Sequence, residues 1–310
     1  CSLDPLPPPP ADAALDELAA SPAVALFIDR ARASRADFHL GARNATPLAE
    51  LVTVLGGLPL AIELAASRVR SLGLADMRQR LQPDASVPAG AALAMLSRPG
   101  PRSGHDPRHA SMERVIGWSW DLLPAAAQCL LERLTVFVAG FTPATAAMVA
   151  PPDVDVLDAL DEAVRHSLLA ATGQPDGSTR LQMSESVREF ARARLGAADA
   201  AEVRQRFRAG WQRWARALPP TPPLAEVRRE SPNLVAALAS ANADGVPDDG
   251  VRLMLTLRPA LDEVALSGSG LLQLQHAVQA CRDPALRGPG WSLLAAMAFD
   301  GGMRDQARQW

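Results

Sequence analysis

The sequence contains no lysine and no tyrosine, so all 31 residues of its Lys+Arg total are arginine. A Walker A loop sets a lysine on the β- and γ-phosphates of a nucleotide, and Schiff-base catalysis needs a lysine nucleophile. Neither chemistry is open to this chain. Isoleucine is almost as scarce, confined to Ile28, Ile62 and Ile116, while alanine is abundant. That combination reads as the codon bias of a GC-rich genome. Cys1, Cys129 and Cys281 are odd in number and widely spaced, which suits a reducing cytosol better than a disulfide framework. No apolar run reaches the roughly 18 residues of a membrane-spanning helix, so no membrane partner is expected. The opening Cys1-Ser-Leu-Asp-Pro-Leu6 has neither a methionine nor a charged leader. No signal peptide is expected from it, the expected location is cytoplasmic, and a segment of a larger chain is the expected origin.

What is present supports real cores. Hydrophobic residues make up 48% of the 310 positions, and a length of about 150 residues per domain predicts about two domains, or three if some are small. A net charge of −3 predicts no general affinity for phosphate backbones, so any nucleic-acid site has to be a local patch.

The chain reads as mainly α. Residues 7–10 are four prolines, a stiff lead-in. Ser21-Pro22 and Thr46-Pro47 are helix starts, Gly56-Gly57 is a stop, and Pro59 opens a helix over Leu60–Leu72 that Gly73 ends. A shorter helix near Asp76–Leu81 completes a helical bundle. Residues 82–107 turn to Pro, Gly, Ala and Ser and read as a linker, with one weak apolar stretch at Leu93–Leu96. Helices are expected at 110–121, 124–133, 143–149 and 154–165. Short strands follow at Ser167–Ala171 and Thr179–Met183 around the turn-rich Gly173-Gln-Pro-Asp-Gly-Ser178, then a helix at Ser186–Leu195. Helices followed by a hairpin is the order of a winged helix. Residues 198–310 return to helices at 198–217, 231–242, 249–258, 270–281, 289–299 and 303–310, each too one-sided to stand alone. Trp291–Trp310, with Gly301-Gly302 at its turn, resembles a tetratricopeptide repeat.

Three strings carry a wider resemblance. Gly56-Gly57-Leu58-Pro59-Leu60-Ala61-Ile62-Glu63-Leu64-Ala65-Ala66 resembles the GLPLA segment of the signal-transduction ATPases with numerous domains (STAND), in particular the NB-ARC type. Trp118-Ser-Trp120-Asp-Leu-Leu123 and Leu134-Thr-Val-Phe-Val-Ala-Gly-Phe-Thr142 resemble the WSYDLL and LSVFxGGFT strings of bacterial members, the regulators of the LuxR/SARP-like branch. Met183-Ser184-Glu185-Ser-Val-Arg-Glu-Phe-Ala191 resembles LETVREYA, in the place of the MHD motif of plant and animal members. Glu230-Ser-Pro-Asn233-Leu234 fits the segment that follows, and the strings stand in the family's order.

The resemblance implies an order of P-loop ATPase domain, helical bundle, winged helix and repeats. It divides this chain into the end of an ATPase module with the GLPLA bundle (1–97), a linker (98–107), a winged helix (108–197), linking helices (198–245) and the start of tetratricopeptide-like repeats (246–310). No Walker A or Walker B run occurs in the sequence, so the expected role is a non-catalytic regulatory or sensor segment, with no cofactor of its own. ADP or ATP belongs by resemblance to the parent protein. The implied partners are its P-loop domain and a protein or small-molecule signal at the repeats.

Site residues follow from the same strings. By local physics Pro59 is a proline at the first helical position, and the resemblance places it against the adenine of a bound nucleotide, with Gly57 and Leu58 supporting the turn. Ser184 stands where the MHD histidine reaches the β-phosphate of ADP, and its shorter uncharged hydroxyl departs from that pattern. Glu185 fills the acidic position, which is also an ordinary helix-start carboxylate. Glu63 reads as a rim charge, and Trp118 and Trp120, two apart on a helix, read as core. The candidate recognition helix, Val154–Val164, carries Asp155, Asp158, Asp161 and Glu162 with no basic residue, which argues against insertion beside DNA phosphates. The one basic concentration, with Arg188, Arg192, Arg194, Arg204, Arg206, Arg208, Arg213 and Arg216 around Trp211 and Trp214, reads as a solvated helix face or a docking surface. DNA binding through it, or a pure protein-binding scaffold at 246–310, are the alternatives. His105 and His109 are four apart but have no third ligand nearby, so no metal site is expected.

Overall fold

The computed structural model describes residues 5–10, 13–81, 107–174 and 177–300. Most of the 82–107 linker, Leu93–Leu96, His105, the His109 side chain, Gly301-Gly302 and the 303–310 helix lie outside the described residues. The chain forms two units. The first comprises Cys1–Ala125, Asp161–Ala170 and Ser184–Phe190; the second comprises Ala126–Leu160, Ala171–Met183 and Ala191–Trp310.

The first unit holds α1 (Leu15–Ala20), α2 (Pro22–Ser34), α3 (Ala45–Val54), α4 (Pro59–Ala66), α5 (Leu74–Leu81) and α6 (Pro107–Trp120). Pro22 and Pro59 occupy first-turn positions, where their missing N–H costs no hydrogen bond. Val24, Phe27, Leu48, Leu51, Ile62, Leu64 and Met77 are fully buried, as α2 packs on α4, α3 on α5 and α4 on α6. The helix expected to reach Leu72 stops at Ala66 and continues as turns that bond Ser71 and Leu72 N–H to the Arg68 carbonyl. Trp120 is buried with its ring edge-on to Phe190, 5.5 Å between centroids, in α10 (Glu185–Arg192). Trp118 is half-exposed, which corrects its assignment to the core.

The second unit holds α7 (Ala125–Leu134), α8 (Pro143–Ala146), the hairpin strands β1 (Ala170–Gly173) and β2 (Thr179–Gln182), α11 (Ala197–Ala217), α12 (Leu224–Ala243), α13 (Pro247–Thr256), α14 (Arg258–Leu261), α15 (Gly268–Ala280) and α16 (Pro284–Asp300). An antiparallel bridge ties Phe141 to Leu181. Phe137 sits edge-on to Phe207 at 5.0 Å, and Phe207 edge-on to Trp211 at 6.0 Å, so the loop after α7 shares an aromatic core with α11. Beyond this, α12, α13, α15 and α16 stack on one another. A Cβ at Gly250 would lie 2.6 Å from Leu238 Cδ1, so a side chain there would force Leu238 to shift in the close α12–α13 contact.

Three further differences from the expected boundaries have a physical reason. The helix expected from 231 begins at Leu224 and runs through Pro232, because Val227, Glu230, Leu234, Ala237 and Leu238 form one buried stripe across the proline. Packing outweighs the lost N–H bond. The last described helix likewise begins at Pro284 and contains Pro289.

The first strand starts at Ala170, not Ser167. Ser167 N–H bonds to Val164 O at 2.9 Å and Leu168 N–H to Ala163 O at 2.9 Å, closing α9 (Val156–Arg165) with a Schellman motif. Ser167 takes the left-handed position that glycine usually fills, with φ 58°.

Candidate functional site

The Gly56–Pro59 turn is built by two successive left-handed glycines, φ 66° and 68°. Leu6 N–H donates to Gly57 O at 2.8 Å, and a Cβ on Gly57 would come to 2.0 Å from Leu6 O. Glycine is therefore required at 57 twice, by its backbone conformation and by the Leu6 backbone lying on it. Leu58 then caps α4 in extended conformation, and Ile62 N–H bonds to its carbonyl at 3.0 Å. Leu58 and Pro59 are half-buried, so part of each faces outward at the helix start, whereas Gly57 is buried. Glu63 pairs with Arg30 at 3.3 Å on the bundle rim.

Ser184 and Glu185 belong to the same unit, at the start of α10, and both are exposed. Val187 N–H points to Ser184 Oγ at 3.4 Å, and Glu185 Oε2 is 3.2 Å from Arg188 Nε. Each is served by its own helix start: a cap and a first-turn acid.

The candidate recognition helix α9 buries Ala159, Leu160 and Ala163 and exposes Asp155, Leu157, Asp158 and Asp161. Asp155 Oδ1 caps it by accepting from Leu157 N–H at 2.9 Å and Asp158 N–H at 3.1 Å. Its outward face carries three carboxylates.

Three arginines of the basic concentration are engaged internally, whereas Arg213 and Arg216 are exposed. Arg204 Nε donates to both Asp244 oxygens, at 2.9 and 3.1 Å, and Arg208 Nη1 reaches Ser240 Oγ at 2.8 Å and Asp244 Oδ2 at 2.5 Å. Arg206 bonds to Ala150 O at 2.7 Å and pairs with Glu202 at 2.7 Å. Partial burial works to raise the Asp244 pKa, but the hydrogen bonds from Arg204 and Arg208 outweigh it and hold the carboxyl below its ordinary value. Trp211 is fully buried. These three arginines brace α11 to its neighbours, which replaces the reading of a solvated face at 204–208.

A buried network carries residues to which the sequence assigned no role. Arg180 on β2, 6% exposed, donates through Nη1 and Nη2 to Glu230 and through Nη2 to the carbonyls of Ala139 and Gly140. Asn233 Nδ2 donates to Glu230 Oε2 at 2.8 Å and Gly140 O at 3.0 Å, while its Oδ1 accepts from Val138 N–H at 3.0 Å and Ala139 N–H at 3.2 Å. The loop after α7, the wing strand and α12 are thereby joined by one charge-assisted set of bonds. The Glu230-Ser-Pro-Asn233 string was its only visible signal.

Among the described residues, no group of three or more His, Cys, Asp or Glu side chains could hold a metal ion, and no helix is long and apolar enough to cross a membrane. Cys281 is a buried thiol, and burial foremost, with Asp248 beside it, pushes its pKa up to about 11.

Known proteins are similar to this chain in sequence. A protein of Mycobacterium tuberculosis strain H37Rv named as an HTH-type transcriptional regulator is 34% identical over 248 residues, covering 76% of this chain and 27% of its own length. A Mycobacterium bovis protein of the same description matches to the same extent. An uncharacterised M. tuberculosis protein is 33% identical over 192 residues, 59% of this chain and 46% of its own length. The chain spans about a quarter of the length of the regulators it matches. Residues 123–196 match the family model of a winged helix-turn-helix domain, the span that runs from α7 through the hairpin to the end of α10. The chain is a mainly helical protein with a winged helix-turn-helix domain, similar to HTH-type transcriptional regulators.

Proposed function

We propose that this chain is the non-catalytic regulatory segment of a bacterial STAND-type transcriptional regulator. In this reading the helical bundle and winged helix close over ADP or ATP held by a P-loop domain of the parent protein. The helical array from 246 onward receives a protein or small-molecule signal and shifts the balance between closed and open states. The supporting observation is the Gly56–Pro59 turn: two left-handed glycines deliver a half-exposed Pro59 to the first position of α4. A proline ring there offers a flat apolar face beside unpaired helix N–H groups. Leu58 and Pro59 fit a nucleotide-facing role, with Gly57 shaping the turn from behind. Ser184 fits less well, because its hydroxyl is short, uncharged and engaged with the α10 backbone. Glu185 completes the expected set. A cytoplasmic location belongs to the same reading.

Calorimetric titration of ADP and ATP provides the test. The 310-residue chain is expected to bind neither, while the whole parent protein binds tightly and loses affinity when Pro59 becomes Ala. Tight binding by the chain alone overturns the proposal.

The winged-helix match favours a second reading, a DNA-binding regulator acting through this segment. The acidic face of α9 and the internal pairing of Arg204, Arg206 and Arg208 weigh against it.

A further inference from the structure

Arg68 lies in the turns after α4 and is 6% exposed. Its Nη1 is 2.9 Å from Nδ1 of His166, while Nε and Nη2 meet no acceptor among the described residues. A guanidinium is only ever a donor. Nδ1 therefore has to be the bare ring nitrogen, and the proton sits on Nε2, which lies 3.5 Å from Glu162 Oε2. The neutral imidazole is the sole hydrogen-bond acceptor met by this buried cation's side chain among the described residues.

The histidine is also fixed in place. It follows α9 directly and precedes Ser167, the one non-glycine residue with positive φ among those described. The Schellman closure around Ser167 fixes the backbone from which the ring projects toward Arg68. The charged groups that face it are Arg68, Glu162 and Arg165. Burial foremost, then Arg68, and Arg165 more weakly, hold its pKa below the ordinary histidine value against the opposing pull of Glu162.

We propose that Arg68 and His166 form a charge-gated joint, which holds segment 161–170 against the turns that follow α4 while the imidazole is neutral and releases it when the ring is protonated. Protonation places an N–H where the acceptor was, so donor faces donor and cation faces cation. Arg68 then has no acceptor, and the cheapest escape is for the guanidinium to leave for water. The joint stands on the Arg68–His166 geometry and does not depend on the nucleotide reading.

Hydrogen exchange measured by mass spectrometry on the whole chain, corrected for intrinsic rates, tests this at pH values of about 7.5 and 4.5, the lower one set well beneath the ordinary histidine pKa of about 6.5 because the folded ring titrates below that value. In the wild type, protection of peptides covering 67–72 and 163–169 is expected to fall by about tenfold on acidification. His166→Gln keeps a neutral acceptor that cannot be protonated, so its protection should hold at both values. His166→Arg, checked by circular dichroism for retained helix, should show the low protection already at the higher pH. Equal acid-induced loss in His166→Gln and the wild type, or no loss in the wild type, overturns the joint.

Discussion

Arg180 and Arg68 are buried to the same degree, 6% exposed in each case, yet they are held in opposite ways. Arg180 in the second unit spends its donors on a carboxylate and two carbonyls, and the carboxylate is itself held by Asn233. Arg68 in the first unit meets one neutral ring. A buried cation with an anionic partner and satisfied hydrogen bonds is locked, because any opening strands a charge. A buried cation on a titratable acceptor is conditional. The same residue type thus makes a fixed brace in one unit and a release point in the other.

The largest effect should come from breaking the brace. Glu230→Ala leaves Arg180 buried without its anion and is expected to cost about 3–5 kcal/mol by urea unfolding. Arg180 and Glu230 replaced together by apolar residues of similar volume should cost far less. A small loss in the single variant would erase the contrast between the two arginines.

Gly57→Ala should follow, at about 2–4 kcal/mol from a left-handed conformation combined with a collision against the Leu6 carbonyl. The Leu6 amide, which donates to Gly57 O, should then lose its hydrogen-exchange protection. Asn233→Ala removes two accepted and two donated bonds while the ion pair survives, and should cost about 1–3 kcal/mol.

Acid sharpens the comparison further. The His166 pKa is lowered in the folded chain, so the unfolded state binds more protons as pH falls below the ordinary 6.5. Stability associated with His166 is full above that value and is lost as pH falls through the lowered one. Asp244 acts further down: its contribution is present above the ordinary 3.8 and disappears as pH falls through its own lowered value. Thermal melts should show the first loss in wild type and not in His166→Gln, with the second common to both. The smallest effect should be a gain. Ser167→Gly relieves the left-handed serine and should raise stability by about 1 kcal/mol.

The local half of this architecture was legible in the chain. Pro22 and Pro59 start helices and Gly56-Gly57 ends one, because each acts through its own backbone dihedrals, and the two short strands β1 and β2 pair as the sequence suggested. Ser167 was misread as strand because a left-handed cap leaves no signal when its residue is not glycine. The helix around Pro232 was started too late, at 231 instead of Leu224, because the buried stripe across the proline depends on neighbours that only the fold supplies. The buried arginines were invisible for the same reason. Arg180 is 50 residues from Glu230 and Arg68 is 98 from His166, and no local pattern announces such pairs. Of the site residues, Pro59 was placed correctly as a first-turn proline, whereas the reason for Gly57 lay in Leu6, a contact that only the fold brings together.

The central claim is that this winged helix serves regulation by packing and does not read DNA. Fluorescence anisotropy of labelled random-sequence and upstream duplexes, titrated with the chain at low salt, tests it most directly. The account predicts no binding at micromolar protein, because α9 presents Asp155, Asp158 and Asp161, and Arg204, Arg206 and Arg208 are already paired. Salt-dependent binding that is lost on replacing Arg204, Arg206 and Arg208 would contradict it.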